Sequence, residues 1–225
     1  MSHKFTIDGL LTRKRECKAD WLALQAECLS RFAKEHGSTT ALVYAALEAR
    51  NAIEQLFLEL ILTSQSGAIS KEMLTECRKN DGVFRVMEKC EPNYRKMVQF
   101  MEIIKSINPD YPALPKWDLG KLKSFHNKLS KYCHFQGHES DTIISPLNIW
   151  LSQGISLVEE IFCYFENEMA NGYSAAIWDK ASLPSEVAEA FEEFKQNKIE
   201  EENLKIRLQL MQPVLRQRRI FRSLC

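Results

Sequence analysis

Glycine and proline are scarce in this chain, eight and seven among 225 residues. A β-rich fold needs more turns than so few can supply, which disfavours sandwiches and barrels. No Cys-x-x-Cys pair occurs. The seven cysteines (Cys17, Cys28, Cys77, Cys90, Cys133, Cys163 and Cys225) are odd in number, scattered, and mostly set in helix-like apolar patterns. That spacing argues against a disulfide framework and fits a reducing compartment. No apolar run approaches the ~18 residues of a membrane span, because Glu59 and Glu159–Glu160 interrupt the greasiest stretches. The opening Met1-Ser-His-Lys-Phe lacks the apolar core of a signal peptide. A cytoplasmic protein without a membrane segment is expected. Neither charge sign is in excess, with 30 Lys plus Arg against 30 Asp plus Glu. Phosphate loops, dinucleotide-binding turns and hydrolase nucleophile elbows are also missing, so nucleotide-fuelled and α/β-hydrolase chemistry are disfavoured.

What is present has a helical period. Leu10 to His36 reads as a first helix closed by Gly37, and Ser38, Thr39 and Thr40 are N-cap candidates for a second over Ala41–Ser64. At about 100° per residue, Leu42, Ala46, Ala49, Ile53, Leu56, Phe57 and Leu60 share one face. Glu48, Asn51, Gln55 and Glu59 gather opposite. A short helix begins at Ser70 and falters near Asn80-Asp81-Gly82. Pro92 suits the first turn of another over Asn93–Ile107. Three prolines within 108–116 mark a loop. Trp117–His134 is the next helix, a polar loop covers Gln136–Ser145, and Pro146 opens a helix to Ala170. The fold class is all-α: a bundle of five or six helices over residues 1–180, with a charged helical extension over 181–225.

The helix over Trp117–His134 carries the candidate chemistry. His126, Ser130 and His134 recur every four residues along the border of its apolar face, with Lys123, Asn127 and Lys131 beside them. Imidazoles titrate near neutrality and serve as acid or base, while ammonium groups stabilise phosphate charge. A half-exposed His making one hydrogen bond is the plainer reading of His126, and a capping role is that of His134. Arg50 and Glu54 form an i, i+4 pair, either a simple intrahelical ion pair or a carboxylate (Glu54 or Glu48) that orients His134 across a helix contact. Cys133, His134 and His138 have metal-like spacing without a matching second pair, so no metal or other cofactor is expected.

Glu48-Ala-Arg-Asn-Ala-Ile-Glu54, together with Phe125-His-Asn-Lys-Leu-Ser-Lys-Tyr-Cys-His134, resembles the HEPN superfamily over residues 38–170. The resemblance implies an all-helical fold, frequent dimerisation, a setting in prokaryotic defence or toxin–antitoxin systems, and metal-independent RNA cleavage by an Arg-x4–6-His motif. In this chain Lys128 stands where the Arg belongs. Six helical residues rotate it about 240° from His134, whereas Asn127 is nearly aligned. The catalytic candidates are therefore His134, Asn127 and Lys128. The binding candidates are Lys131, His126, Ser130, Lys123, Arg50 and Glu54. RNA is the expected partner. The alternative is a non-catalytic module that joins a homodimer or a larger complex.

That module would use the tail. Glu186–Glu202 holds seven Glu against two Lys, and Lys205–Cys225 holds six basic residues and no acidic one. Pro213 should stop or kink the tail helix near Gln209. One reading is a solvated helix docked by Val187, Phe191, Phe194, Leu204 and Leu208; the other is a basic end that touches nucleic acid or a partner's acidic surface. Self-association is expected through Phe191, Phe194 and Leu208 rather than through exposed ion pairs.

Overall fold

A computed structural model describes residues 18–65, 69–109, 114–133, 147–170 and 183–217. Those residues are helical throughout apart from turns and short extended links, and no strand occurs among them. Helix α1 spans Ala19–His36 and α2 spans Thr39–Ser64. Gly37 caps α1 in the left-handed conformation (φ 61°), and Ser38 accepts the Ala41 N–H at 3.2 Å. Both caps are where the sequence puts them. The expected stretch from Leu10 to Cys17 lies outside the described residues.

Helix α2 is the axis of the bundle, packed against α1 and also against α4 (Gly82–Ile107), α5 (Leu119–Cys133) and α6 (Leu147–Ala170). All seven residues of its expected apolar face are buried. So are Ala41, Ala45 and Ala52, whose small side chains admit neighbours on several sides. Glu59, expected on the polar face, is buried as well, at 4 % exposure. Its Oε1 accepts the Ala19 N–H at 3.0 Å and the Gln55 amide at 3.1 Å. Lys18 offers α1 no side-chain cap, so a carboxylate from α2 takes that place. Burial raises its pKa above the ordinary carboxylate range.

Ser70 caps α3 (Lys71–Cys77) by accepting the Met73 N–H, and the chain then turns at 78–81 as expected. The start of α4 differs from expectation. It begins at Gly82 and runs 26 residues through Pro92, which is interior rather than in a first turn. Pro92 faces solvent, while Val83, Phe84, Val86, Met87 and Cys90 before it and Tyr94, Met97 and Met101 after it bury one continuous face. Packing on that face outweighs the missing backbone donor. Gly82 is required by close approach, since a Cβ there would lie 1.8 Å from the Glu76 carbonyl oxygen.

Leu114–Asp118 is an extended link, held where Tyr94 Oη donates to the Pro115 carbonyl at 2.7 Å. Helix α5 starts at Leu119 rather than Trp117, because the Asp118 carboxylate caps it through the Lys121 N–H (2.9 Å). On α6, a Cβ on Gly154 would lie 2.6 Å from Leu42 and 2.8 Å from the Tyr132 ring, so glycine sets how closely α2, α5 and α6 approach.

The tail is not one helical stretch. Helix α7 (Ser185–Lys195) and α8 (Glu201–Leu210) are joined by a turn in which Asn197 takes φ 56°. The tail therefore folds back there. Helix α8 ends at Leu210, close to where Pro213 is expected to stop it, and Pro213 sits in the first turn of α9 (Gln212–Gln217), where its missing donor costs nothing. Helices α7 and α8 both pack on α4. Phe191, Phe194 and Leu208 are at most 2 % exposed within their own chain, so they offer no self-association surface. The basic residues beyond Gln217 lie outside the described residues. No described helix is long and apolar enough to cross a membrane.

Candidate functional site

Helices α2, α4 and α5 bring together residues far apart in sequence. Arg50 and Glu54, one turn apart on α2, face His126, Ser130 and Cys133 on α5. The Arg50 Nε lies 3.2 Å from Glu54 Oε1 and 2.9 Å from His126 Nε2, and its Nη1 lies 3.5 Å from Ser130 Oγ. His126 Nε2 is in turn 2.7 Å from the same Glu54 oxygen. One ring nitrogen cannot both accept from Arg50 and donate to Glu54. The carboxylate decides it. Hydrogen bonding from His126, with His126 and Arg50 charge effects and the Arg50 hydrogen bond adding to it, lowers the Glu54 pKa against the opposing effect of burial, so it stays an acceptor. We therefore assign Nε2–H as donor to Glu54 Oε1, with Arg50 donating to the same oxygen.

His126 is 2 % exposed, a correction to the half-exposed border residue expected from the helix pattern. Its apolar setting is explicit: the ring meets Phe84 of α4 edge-on at 4.7 Å between centroids. Its Nδ1 is buried and has no hydrogen-bond partner. The cluster ties α2 to α5, and His126 is too deep to meet a macromolecule directly. Burial also raises the Cys133 thiol pKa, although Arg50 pulls it the other way.

The outer side of α5 is different in kind. Gly120, Lys123, Ser124, Asn127, Lys128 and Lys131 line an open groove of about 460 Å³. Lys123 pairs with Glu88 of α4 at 3.0 Å. Lys128 and Lys131 are exposed and make no ion pair among the described residues. Three ammonium groups, an amide and a hydroxyl on one open strip, with no carboxylate lining it, suit the phosphates of an extended polyanion. No imidazole lines the strip among the described residues, and the catalytic candidate His134 lies outside the described residues together with His138.

Between α2 and the α3–α4 turn lies a larger cleft of about 740 Å³. Arg50 and Glu54 line it, as do Asn51, Arg78 and Phe84, none of which the sequence marks as functional. Nothing in the local pattern signals them, because the α3–α4 turn has to fold across α2 before they meet. Of the candidates named from sequence, the structure thus separates two groups. Arg50, Glu54, His126 and Ser130 form a tie between helices, while Lys123, Asn127, Lys128 and Lys131 form an open cationic strip.

These elements define an all-α helical bundle with a polar cluster under a cationic face. Comparison with protein-family models, with curated proteins and with solved structures returned no match.

Proposed function

We propose that this chain is a HEPN-like RNA-binding protein of the cytoplasm. It holds the phosphate backbone along the outer strip of α5 and cleaves the strand without a metal, His134 acting as acid/base. One observation carries the binding reading: Lys128 and Lys131, which make no ion pair among the described residues, stand beside Asn127 and Lys123 on one exposed groove. The cleavage reading adds the resemblance of residues 125–134 to the HEPN ribonuclease segment, and with it the setting in prokaryotic defence or toxin–antitoxin systems. A second reading has its own support. The chain has zero net charge, whereas RNA binders usually show a basic excess, which favours a non-catalytic module that meets RNA or a protein partner only locally.

Incubating the purified chain with total RNA, with and without chelator, separates the two. Cleavage that survives chelator and disappears in His134→Ala supports the enzyme. Retention of RNA without any cut, unchanged by His134→Ala, supports the binding module. In either case Lys128→Ala with Lys131→Ala should weaken binding of all sequences alike. The slope of log affinity against log salt should fall by about 1–2, as expected for two lost phosphate contacts.

A further inference from the structure

We infer that the cleft between α2 and the α3–α4 turn is a base-binding subsite for one unstacked nucleobase that carries an exocyclic amino group. This rests on the RNA reading above and assigns it a second, base-reading contact.

The cleft's volume, about 740 Å³, lies in the range of small-ligand sites. Its charges do not make a phosphate trap. Arg50 is engaged by Glu54 and Lys79 by Glu76 at 2.6 Å, and a further carboxylate, Asp81, lines the cleft beside them. The contrast is with the α5 strip, where Glu88 engages Lys123 while Lys128 and Lys131 make no ion pair among the described residues. What the cleft does present is a set of directional hydrogen-bonding groups. Glu54 Oε1 already takes Arg50 and His126, and Oε2 takes no partner among the described residues, on a side chain 42 % exposed. An ionised carboxylate oxygen only accepts, so it selects a donor. Asn51, three residues earlier on the same face of α2, adds an amide, and Arg78 adds a guanidinium with no ion pair among the described residues. Leu58 of α2 and Leu74 of α3 supply apolar surface from two different helices, and Leu74 is 38 % exposed. Apolar surfaces with a few fixed donors and acceptors are what hold an unstacked base by its faces and its Watson–Crick edge.

The cleft also adjoins the strip. Phe84 lines the cleft and packs on His126, and one turn further along α4 Glu88 binds Lys123, which lines the strip. Four helical residues span about 6 Å, so Phe84 and Glu88 are neighbours on α4, and one strand would engage both surfaces. Adenine, cytosine and guanine offer an amino group to Glu54. Uracil offers carbonyl oxygens there and only a ring N–H.

The test uses the full chain with labelled single-stranded oligo(A), oligo(C) and oligo(U), and with free adenosine as a phosphate-free probe. Oligo(A) and oligo(C) should bind about tenfold more tightly than oligo(U), the worth of one hydrogen bond to a charged group. Leu74→Trp, at a half-exposed wall position, should fill the cleft. It should erase both the base preference and adenosine binding, and leave oligo(U) affinity and its salt dependence unchanged. Asn51→Trp, from the opposite wall, should do the same if Leu74→Trp fails to fold. Equal binding of all three oligomers, or a preference that survives both filled clefts, overturns the base site while leaving the α5 backbone reading intact. Adenosine bound by the native chain and lost on filling, with no oligomer bound at all, keeps the base site and overturns the backbone reading.

Discussion

Ile53 lies in the middle of α2 at 0 % exposure, surrounded by the helices that α2 organises. Ile53→Ala should therefore destabilise the fold by about 2–5 kcal/mol, the range for emptying a core aliphatic. Denaturant unfolding measures it, and a loss below about 0.5 kcal/mol would place the residue on the surface. Glu59 gives a sharper test because its sign depends on pH. Burial raises its folded-state pKa above the usual 4.5. The folded chain then binds the proton more tightly, so this group's contribution to stability falls as pH rises from about 4.5 through the raised value. Glu54 has the opposite sign. Its lowered pKa gives stability that is present above the ordinary value and lost as pH falls through the folded one. Glu59→Gln keeps an acceptor for the Ala19 N–H and removes the charge, so unfolding curves measured as pH rises above about 4.5 should lose that decline. Glu59→Ala removes the acceptor and should cost about 1–3 kcal/mol throughout that rise. Neither Glu59 nor His126 was legible from sequence as a buried group. A polar residue on a helix border reads as solvated, and only the neighbouring helix supplies the partner that lets it be buried.

For the helices, periodicity and caps are legible in the sequence, and interruptions are not. Gly37, Ser38 and Ser70 act locally, through backbone conformation and one side-chain hydrogen bond, so the residues alone place the ends of α1, α2 and α3. Pro92 was misread because its local penalty is real. A proline at position 92 cannot donate to the Glu88 carbonyl, and only burial of the α4 face from Val83 to Ile104 keeps the helix continuous. If that is correct, Pro92→Ala at this exposed position should stabilise the protein by about 1–3 kcal/mol. A destabilised variant would mean that the proline is needed for the course of α4. Gly82→Ala should act in the other direction. Its methyl would meet backbone rather than a movable side chain at 1.8 Å, so the α3–α4 turn must shift, at a cost of about 1–3 kcal/mol or more. Because that turn forms one wall of the cleft, adenosine binding should weaken along with stability.

For the whole molecule, the tail's charge pattern and its apolar pattern point to different partners, and both are found within one chain. Arg207 of α8 reaches Glu193 and Glu189 of α7, so part of the opposite charge in the two tail segments is matched by folding back at Asn197. The apolar residues go to α4, where the Phe191 ring meets Phe100 at 4.8 Å and Lys96 sits 4.2 Å over Phe194. Sequence identified Val187, Phe191, Phe194, Leu204 and Leu208 as the docking residues. It could not identify their acceptor, because a second copy and the chain's own α4 present equivalent apolar faces to a periodicity argument. Burial of these side chains makes the tail a cover for α4. A chain ending at Asp179 should then expose Phe100 and its neighbours, unfold at lower denaturant and aggregate, whereas the full chain should not self-associate through those residues. Added salt distinguishes the two contributions. The half-exposed Arg207 pairs are worth only about 0–1 kcal/mol and are partly screened, so full-chain stability should change little between low and moderate salt, and sedimentation should show no apolar dimer strengthening as salt is raised. A shortened chain that sediments as a stable monomer, with unfolding unchanged, would show that α4 does not depend on the tail.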